Sequence, residues 1–191
     1  MKINKTRFIH FFLATALLIS TASDAQAQNR KKSGVASLGE MGCITVQGVG
    51  GYSSINQDVP VGLEIFRAFA VLGKATSALL DPVVGIPSDK PLQVSCRLAA
   101  VNAAPQFKTL NLSFGFSQKS DLLDGSVIVR LAIYKDGNFY GEQTITSGDK
   151  LTWPIDIKNT RSLALEAQCV RRKQNADSCP NIWFFEDTLR K

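Results

Sequence analysis

The chain has 191 residues, with 22 Lys and Arg against 16 Asp and Glu for a net charge of +6, four cysteines and a single histidine. The histidine is His10, which lies inside an N-terminal apolar segment. Once that segment is removed no imidazole remains, which excludes Ser-His-Asp and Cys-His catalysis and every His-based metal site. The positive charge is mild, and much of it sits in two small clusters, Arg30-Lys31-Lys32 and Arg171-Arg172-Lys173, which read as solvated tails or loop tips, so no specific nucleic-acid surface is expected.

The N-terminus reads as a secretory signal. Lys2, Lys5 and Arg7 form a basic start, residues 8–20 (FIHFFLATALLIS) an apolar stretch, and Ala25-Gln26-Ala27 a cleavage site. The apolar stretch is shorter than the roughly 20 residues of a membrane-spanning helix. No cysteine follows it directly, so a lipoprotein signal is rejected. Cleavage after Ala27 removes three cations and one carboxylate, which lowers the net charge to +4 over 164 residues. A chain of that length buries one substantial core. The expected organisation is a signal peptide over 1–27, a mobile polar leader over 28–41 and one domain over 42–191.

Residues 43–47 (CITVQ) alternate as a first strand, and GVGGYSS (48–54) reads as a flexible turn. It is no phosphate loop, because no Gly-Lys-Ser/Thr and no strand–helix frame accompany it. Residues 59–80 are expected to form an inserted apolar α-helix. Asp58 would cap it, Pro60 would sit in its first turn, and Glu64, Arg67, Lys74 and Ser77 would share one stripe. Beyond Pro91 the pattern is strand-like: 92–98, 107–116, 126–134, 138–145, 150–157, 162–170 and 181–185 alternate or run apolar between turn residues. The stretch 126–134 is apolar on both faces apart from Arg130 and reads as a central strand, whereas Pro154 places 150–157 at an edge or bulge. The fold class is mainly β, an antiparallel jelly-roll-like β-sandwich carrying the one helix.

Four cysteines without a CxxC pair, in an exported chain, read as two disulfides. They allow three pairings. The short separation favours Cys169 with Cys179, closing a loop that contains Arg171, Arg172 and Lys173, and leaves Cys43 with Cys96. Such a loop would offer pre-organised cations to an anionic partner. The carboxylates Asp121, Asp124, Asp149 and Asp156 fall in turns or strand ends, where aspartate is ordinary, and no catalytic pair is legible.

The stretch YKDGNFYGEQTI (134–145) is a hairpin in which Asp136-Gly137 matches a type I′ turn. Its order, with the Ser-Gly-Asp turn, the Ile-Asp-Ile strand and the Leu-x-Leu strand that follow, resembles the NPCBM-type family of carbohydrate-binding modules found beside secreted glycoside hydrolases. The matching segments are FKTLNLSFGFSQKSD, GSVIVRLAIYKDGNFYGEQTITSGDK, PIDIKNTRSLALEAQC and NIWFFEDTLR, so the resemblance covers 107–191 well and 85–106 loosely. Gly85-Ile86-Pro87 stands where the family carries Gly-Val-His. The resemblance implies a jelly-roll-like sandwich and sugar binding, with Trp183 and Asp187 in a place comparable to the family's closing strand.

Sugar sites combine an aromatic surface with convergent amides and carboxylates. Tyr134, Tyr140, Trp153 and Trp183 are the aromatic candidates, and alternation places Trp153 toward the core. Tyr140 is the expected outward ring of the hairpin, with Asn138 and Asp136 beside it. The ligand set expected from sequence is therefore Tyr140, Asn138, Asp136, Trp183 and Asp187, with no catalytic residue, no metal and no cofactor. The expected function is non-catalytic binding of a cell-envelope or extracellular glycan. The alternative is an envelope protein that meets membrane or protein through 59–80 or the basic loop 170–178. N-terminal sequencing of the exported protein is expected to begin at Gln28; an uncleaved N-terminus would overturn the export reading.

Overall fold

The structure is a computed structural model, and it describes residues 34–74 and 85–191. The expected signal peptide, the first part of the leader and residues 75–80 of the expected helix lie outside the described residues. Among the described residues thirteen strands follow in chain order: β1 (Val35–Ser37), β2 (Ile44–Gln47), β3 (Gly51–Val61), β4 (Glu64–Gly73), β5 (Ile86–Pro87), β6 (Leu92–Arg97), β7 (Thr109–Gly115), β8 (Ile128–Lys135), β9 (Asn138–Thr146), β10 (Lys150–Asp156), β11 (Ser162–Arg171), β12 (Ser178–Cys179) and β13 (Ile182–Arg190). A 3-10 turn over Leu38–Met41 is the one helical element among the described residues.

The strands pair antiparallel into two main sheets. One runs β10-β7-β13-β4-β3, with β1 also paired to β13; the other runs β2-β6-β11-β8-β9. β5 and β12 form a small third ladder. Inward side chains of both sheets meet in one core, in which Phe114, Phe116 and Phe184 are fully buried. Burying each such ring contributes roughly 1.5–3 kcal/mol. Phe184 lies 5.8 Å from Phe114 and 5.1 Å from Tyr52, centroid to centroid, so aromatic contacts stitch β7, β13 and β3 together.

The expected helix is corrected. Its described residues, 59–73, lie in a hairpin of β3 and β4 that turns at Gly62 and Leu63. The segment is rich in β-branched and aromatic residues (Val59, Val61, Ile65, Phe66, Phe69, Val71), and Gly62 adopts a φ of 58°, which suits a turn. Pro60 fits because β3 is a sheet edge, where a missing N–H costs no ladder bond. The hairpin buries Val59, Val61 and Ala68 with Phe185 in a second, smaller cluster.

Residues 34–41 also differ from a mobile leader. β1 pairs with β13, and Leu38 is fully buried. Ser37 caps the 3-10 turn in a reciprocal capping box with Glu40. The segment is held by Asp187 on β13, whose Oδ2 accepts from the Ser37 hydroxyl at 2.7 Å, the Gly39 N–H at 3.1 Å and the Tyr52 hydroxyl at 3.0 Å. Asp187 is 4% exposed. Burial raises its carboxyl above the ordinary value, and the three donors only partly offset that. Burial, then the charge and hydrogen bond of Asp187, push the Tyr52 phenol well above its own ordinary value.

The disulfides are Cys43–Cys96 and Cys169–Cys179, the pairing favoured by loop length. In a chain-entropy account they contribute about 4 and about 3 kcal/mol respectively, the longer loop more.

Asp187→Ala takes the acceptor from the part-buried Ser37 and Tyr52 hydroxyls, while the Gly39 N–H keeps Ser37 Oγ, and is expected to cost on the order of 2 kcal/mol in urea unfolding. The raised carboxyl binds its proton more readily folded than unfolded. Its contribution to stability is therefore largest below about the unfolded value of 3.8 and is lost as pH rises through the folded value. The stability gap between the wild type and Asp187→Asn is expected to shift in favour of the wild type as pH falls from neutral into that window. A gap that does not change with pH would refute the assignment.

Candidate functional site on the outer face of the five-stranded sheet

β6, β11 and β8 lie side by side at the centre of the second sheet, and their register decides which outward side chains become neighbours. Ser95 faces Ala164, which faces Tyr134, which faces Phe139 on β9. In the next row Gln93 faces Glu166, then Ala132, then Glu142. In the row after that Gln168 faces Arg130, then Thr144. Each strand presents these residues outward because their neighbours in sequence, such as Val94, Leu165 and Ile133, are fully buried in the core.

The result is a trough of about 460 Å³ whose lining includes Val46, Gln93, Ser95, Tyr134, Ala164 and Glu166. That volume lies within the range of small-ligand sites. Short side chains form its floor, Tyr134 and Val46 stand at its sides, and polar groups converge within it. Gln93 donates its amide N–H to Glu166, and the Tyr134 hydroxyl lies 3.4 Å from the other Glu166 oxygen. Arg130 donates to the Gln168 side chain, and its Nε lies 3.5 Å from Glu142. Tyr134 meets Phe139 edge to face, with centroids 5.7 Å apart, and Phe139 is 59% exposed. Partial burial, then the charge and hydrogen bond of Glu166, raise the Tyr134 phenol; Arg130 pulls it the other way. Aromatic surface, amide, carboxylate and guanidinium thus share one open face.

The residues expected from sequence do not gather in one place. Asp136 and Gly137 form the tip of the β8–β9 hairpin with φ of 49° and 83°, as a type I′ turn requires. The Asp136 carboxylate accepts from the N–H groups of Arg161 and Ser162 and from the Ser162 hydroxyl, so it pins the hairpin to β11. Asn138 donates to the Asp136 carbonyl. A bulge at Ile133/Tyr134 sets Phe139 opposite Tyr134, and both rings of the pair are exposed, Phe139 at 59% and Tyr140 at 37%. Phe139 stands beside Tyr134 on the trough side, whereas Tyr140 lies 6.3 Å from Trp153 of the other sheet with Lys135 Nζ 4.3 Å from its ring. Trp153 packs against the core, as its alternation implied.

Trp183 and Asp187 lie on one strand but serve different places. Asp187 points into the interior. Trp183 is half-buried and lines a separate pocket of about 420 Å³ with Asn181, Lys119, Ser117, Asp58 and Gln57. In the basic loop, Arg172 donates to Ser88 and Lys173 to the Asp121 carbonyl, so two of its three cations brace neighbouring loops; Arg171 is exposed. Three of the turn aspartates are likewise occupied: Asp124 binds Ser126, Asp149 binds Thr146 and Asp156 caps Lys158. Among the described residues no group of three metal-ligating side chains converges.

The trough residues Gln93, Ala164 and Glu166, and Gln168 on the same face, were not singled out in the sequence. Their signal was present in the alternation of SLALEAQCV, whose outward positions are Ser162, Ala164, Glu166 and Gln168. What the sequence lacked was the register that sets them beside Gln93 and Tyr134.

Comparison with solved structures places this architecture. A CBM51 module from Clostridium perfringens GH95, solved in complex with methyl-galactose, matches 81% of this chain and 99% of its own length with a TM-score of 0.55 and 10% identity. The CBM51-2 and INT domains of Clostridium perfringens ZmpB, with GlcNAc, match 82% of this chain and 31% of theirs with a TM-score of 0.56 and 9% identity. The chain has a CBM51-like fold. A further ZmpB structure, the M60 catalytic domain with CBM51-1 and CBM51-2, matches 82% of this chain and 15% of its own length at a TM-score of 0.55 and 10% identity. At these identities the CBM51 likeness is one of fold, and a site does not transfer with it. No protein-family model and no curated protein sequence matches the chain.

Replacing Glu166 with Gln removes one of the influences that raise the Tyr134 phenol. Phenolate absorbance is expected to show a transition, assigned with Tyr134→Phe, that moves to lower pH in Glu166→Gln. An unmoved transition would separate Tyr134 from Glu166.

Proposed function

We propose that the chain is an exported, non-catalytic glycan-binding protein that holds its ligand on the outer face of the five-stranded sheet. One observation carries this reading: Tyr134, with Phe139 against it, shares a hollow of about 460 Å³ with Gln93 and Glu166, and Arg130 and Gln168 lie on the same face two rows from Tyr134. An exposed ring packs on the apolar side of a sugar, while amide, carboxylate and guanidinium take its hydroxyls. The CBM51-like fold supports the same reading, because solved structures of that type hold methyl-galactose or GlcNAc. The two disulfides fit an oxidising compartment, periplasmic or extracellular.

The alternative, a contact protein of the envelope, draws on the β3–β4 hairpin, whose tip exposes Leu63 at 105% and Ile65 at 73%. Isolated apolar residues at a turn are common on protein surfaces, which weights the choice toward the trough.

The test is retention of the oxidised mature protein on immobilised polysaccharides and a glycan array. Binding is expected. Tyr134→Ala and Phe139→Ala should each weaken it roughly tenfold while leaving the melting profile intact. Trp183→Ala, in the separate pocket, should leave it unchanged. No retention on any glycan would overturn the proposal, and loss confined to Trp183→Ala would move the site to the β13 pocket.

A further inference from the structure

The trough does not end at Tyr134. Ser95 and Ser162 line both it and an adjoining hollow of about 650 Å³, which reaches Ile44 and Met41 on one side and Arg97, Val101 and Arg161 on the other. The two hollows adjoin at Ser95 on β6 and Ser162 on β11, with volumes of about 460 and 650 Å³.

The two ends differ in charge. Glu166 and Glu142 lie at the Tyr134 end, where Gln93 and Arg130 engage them. The far end carries two guanidinium groups. Arg97 closes β6 opposite Ser162, is exposed, and has no ion-pair or hydrogen-bond partner among the described residues. Arg161 is fixed in place: its two terminal nitrogens donate to the carbonyls of Ala100, Val101 and Ala103. Carbonyls hold a guanidinium without cancelling its charge.

The carboxylates that approach this end are already occupied. Asp136 accepts from two backbone N–H groups and one hydroxyl, and Glu40 faces the Ser37 N–H in its capping box. Neutral donors leave the Asp136 charge in place, but it sits at the hairpin tip and no carboxylate among the described residues lines the hollow, whose charged lining residues are Arg97 and Arg161. Its apolar lining, Ile44 and Val101, would fit the body of a ring whose substituent meets the cations.

Resting on the glycan reading above, we infer that this hollow binds an anionic group, a sugar carboxylate or a sulfate ester, on the residue next to the one held at Tyr134. The guanidinium fork matches planar carboxylates and oxyanions in geometry as well as charge. Recognition at an exposed pair is modest and sensitive to salt.

The experiment is calorimetric titration of the oxidised mature protein with paired probes. One pair is an oligogalacturonate and its methyl ester, which differ in the charge and one methyl group per esterified residue. A GlcNAc–uronate oligosaccharide with its carboxyl-reduced form covers the other sugar type, and a sulfated galactan oligosaccharide with its desulfated parent covers the other anion. At least one acidic probe is expected to bind about three- to tenfold tighter than its neutral partner at low salt. That preference should vanish at about 1 M salt and in Arg97→Gln. Binding of the neutral partner should be unchanged in Arg97→Gln, which a merely unfolded variant would not show. The carboxylate and sulfate arms distinguish which anion is taken. Equal binding of charged and neutral partners overturns the inference but leaves the glycan reading standing, as does a preference that survives Arg97→Gln. Failure of every probe, together with failure of the wider glycan panel, overturns both.

Discussion

The hydrogen bonds of Asp187 mark the point on which the architecture turns. Along β13 the neighbour on one side is β7 throughout, while on the other side β4 pairs at Ile182–Phe184 and β1 takes over at Thr188–Arg190. A bulge at Phe184/Glu186 precedes the hand-over and sets Asp187 facing inward. There one carboxylate oxygen gathers donors from the N-terminal segment and from β3. Removing a buried polar group from such a network costs more than any single bond in it is worth, because its half-buried partners lose their common acceptor. The closing strand of the chain is thus tied to its first described strand, and the sheet behind the core is complete only when both ends are in place.

The opposite sheet has a different task. Its inner face supplies half the core, and β11 pairs without interruption to β6 and, from Leu163 to Cys169, to β8. Side chains alternate strictly, so a core that holds Val94, Leu165 and Ile133 also fixes Gln93, Glu166 and Tyr134 on the outside. The candidate site therefore rests on regular strands whose positions the core determines. Such a platform costs little reorganisation when a ligand arrives.

Much of the fold was legible in the sequence. The strands from Leu92 onward were marked by period-two alternation, the hairpin at Asp136-Gly137 by turn chemistry, and the edge position of β10 by Pro154. The helix expected over 59–80 was the main error. Apolar residues are so dense there that strand and helix periodicities both fit, and Pro60 serves a helix start as well as an edge strand. The β-branched content and Gly62 were the better guides. The site was less legible than the fold. Tyr140 was preferred to Phe139 for its polar tip; both rings are exposed, and the bulge beside Tyr134, which sequence does not show, sets Phe139 next to Tyr134.

The sequence by itself determined the β-rich pattern, the absence of histidine beyond His10, and the favoured cysteine pairing, since composition and short chain separation are one-dimensional properties. Only the tertiary structure decided that Glu166 meets Gln93 and Tyr134, that Arg97 and Arg161 share a hollow, and that Asp187 is a buried tie rather than a surface group. Those neighbours are 32 to 150 residues apart along the chain. Cross-strand register brings such residues together, and register is set by how two whole sheets bury a common core.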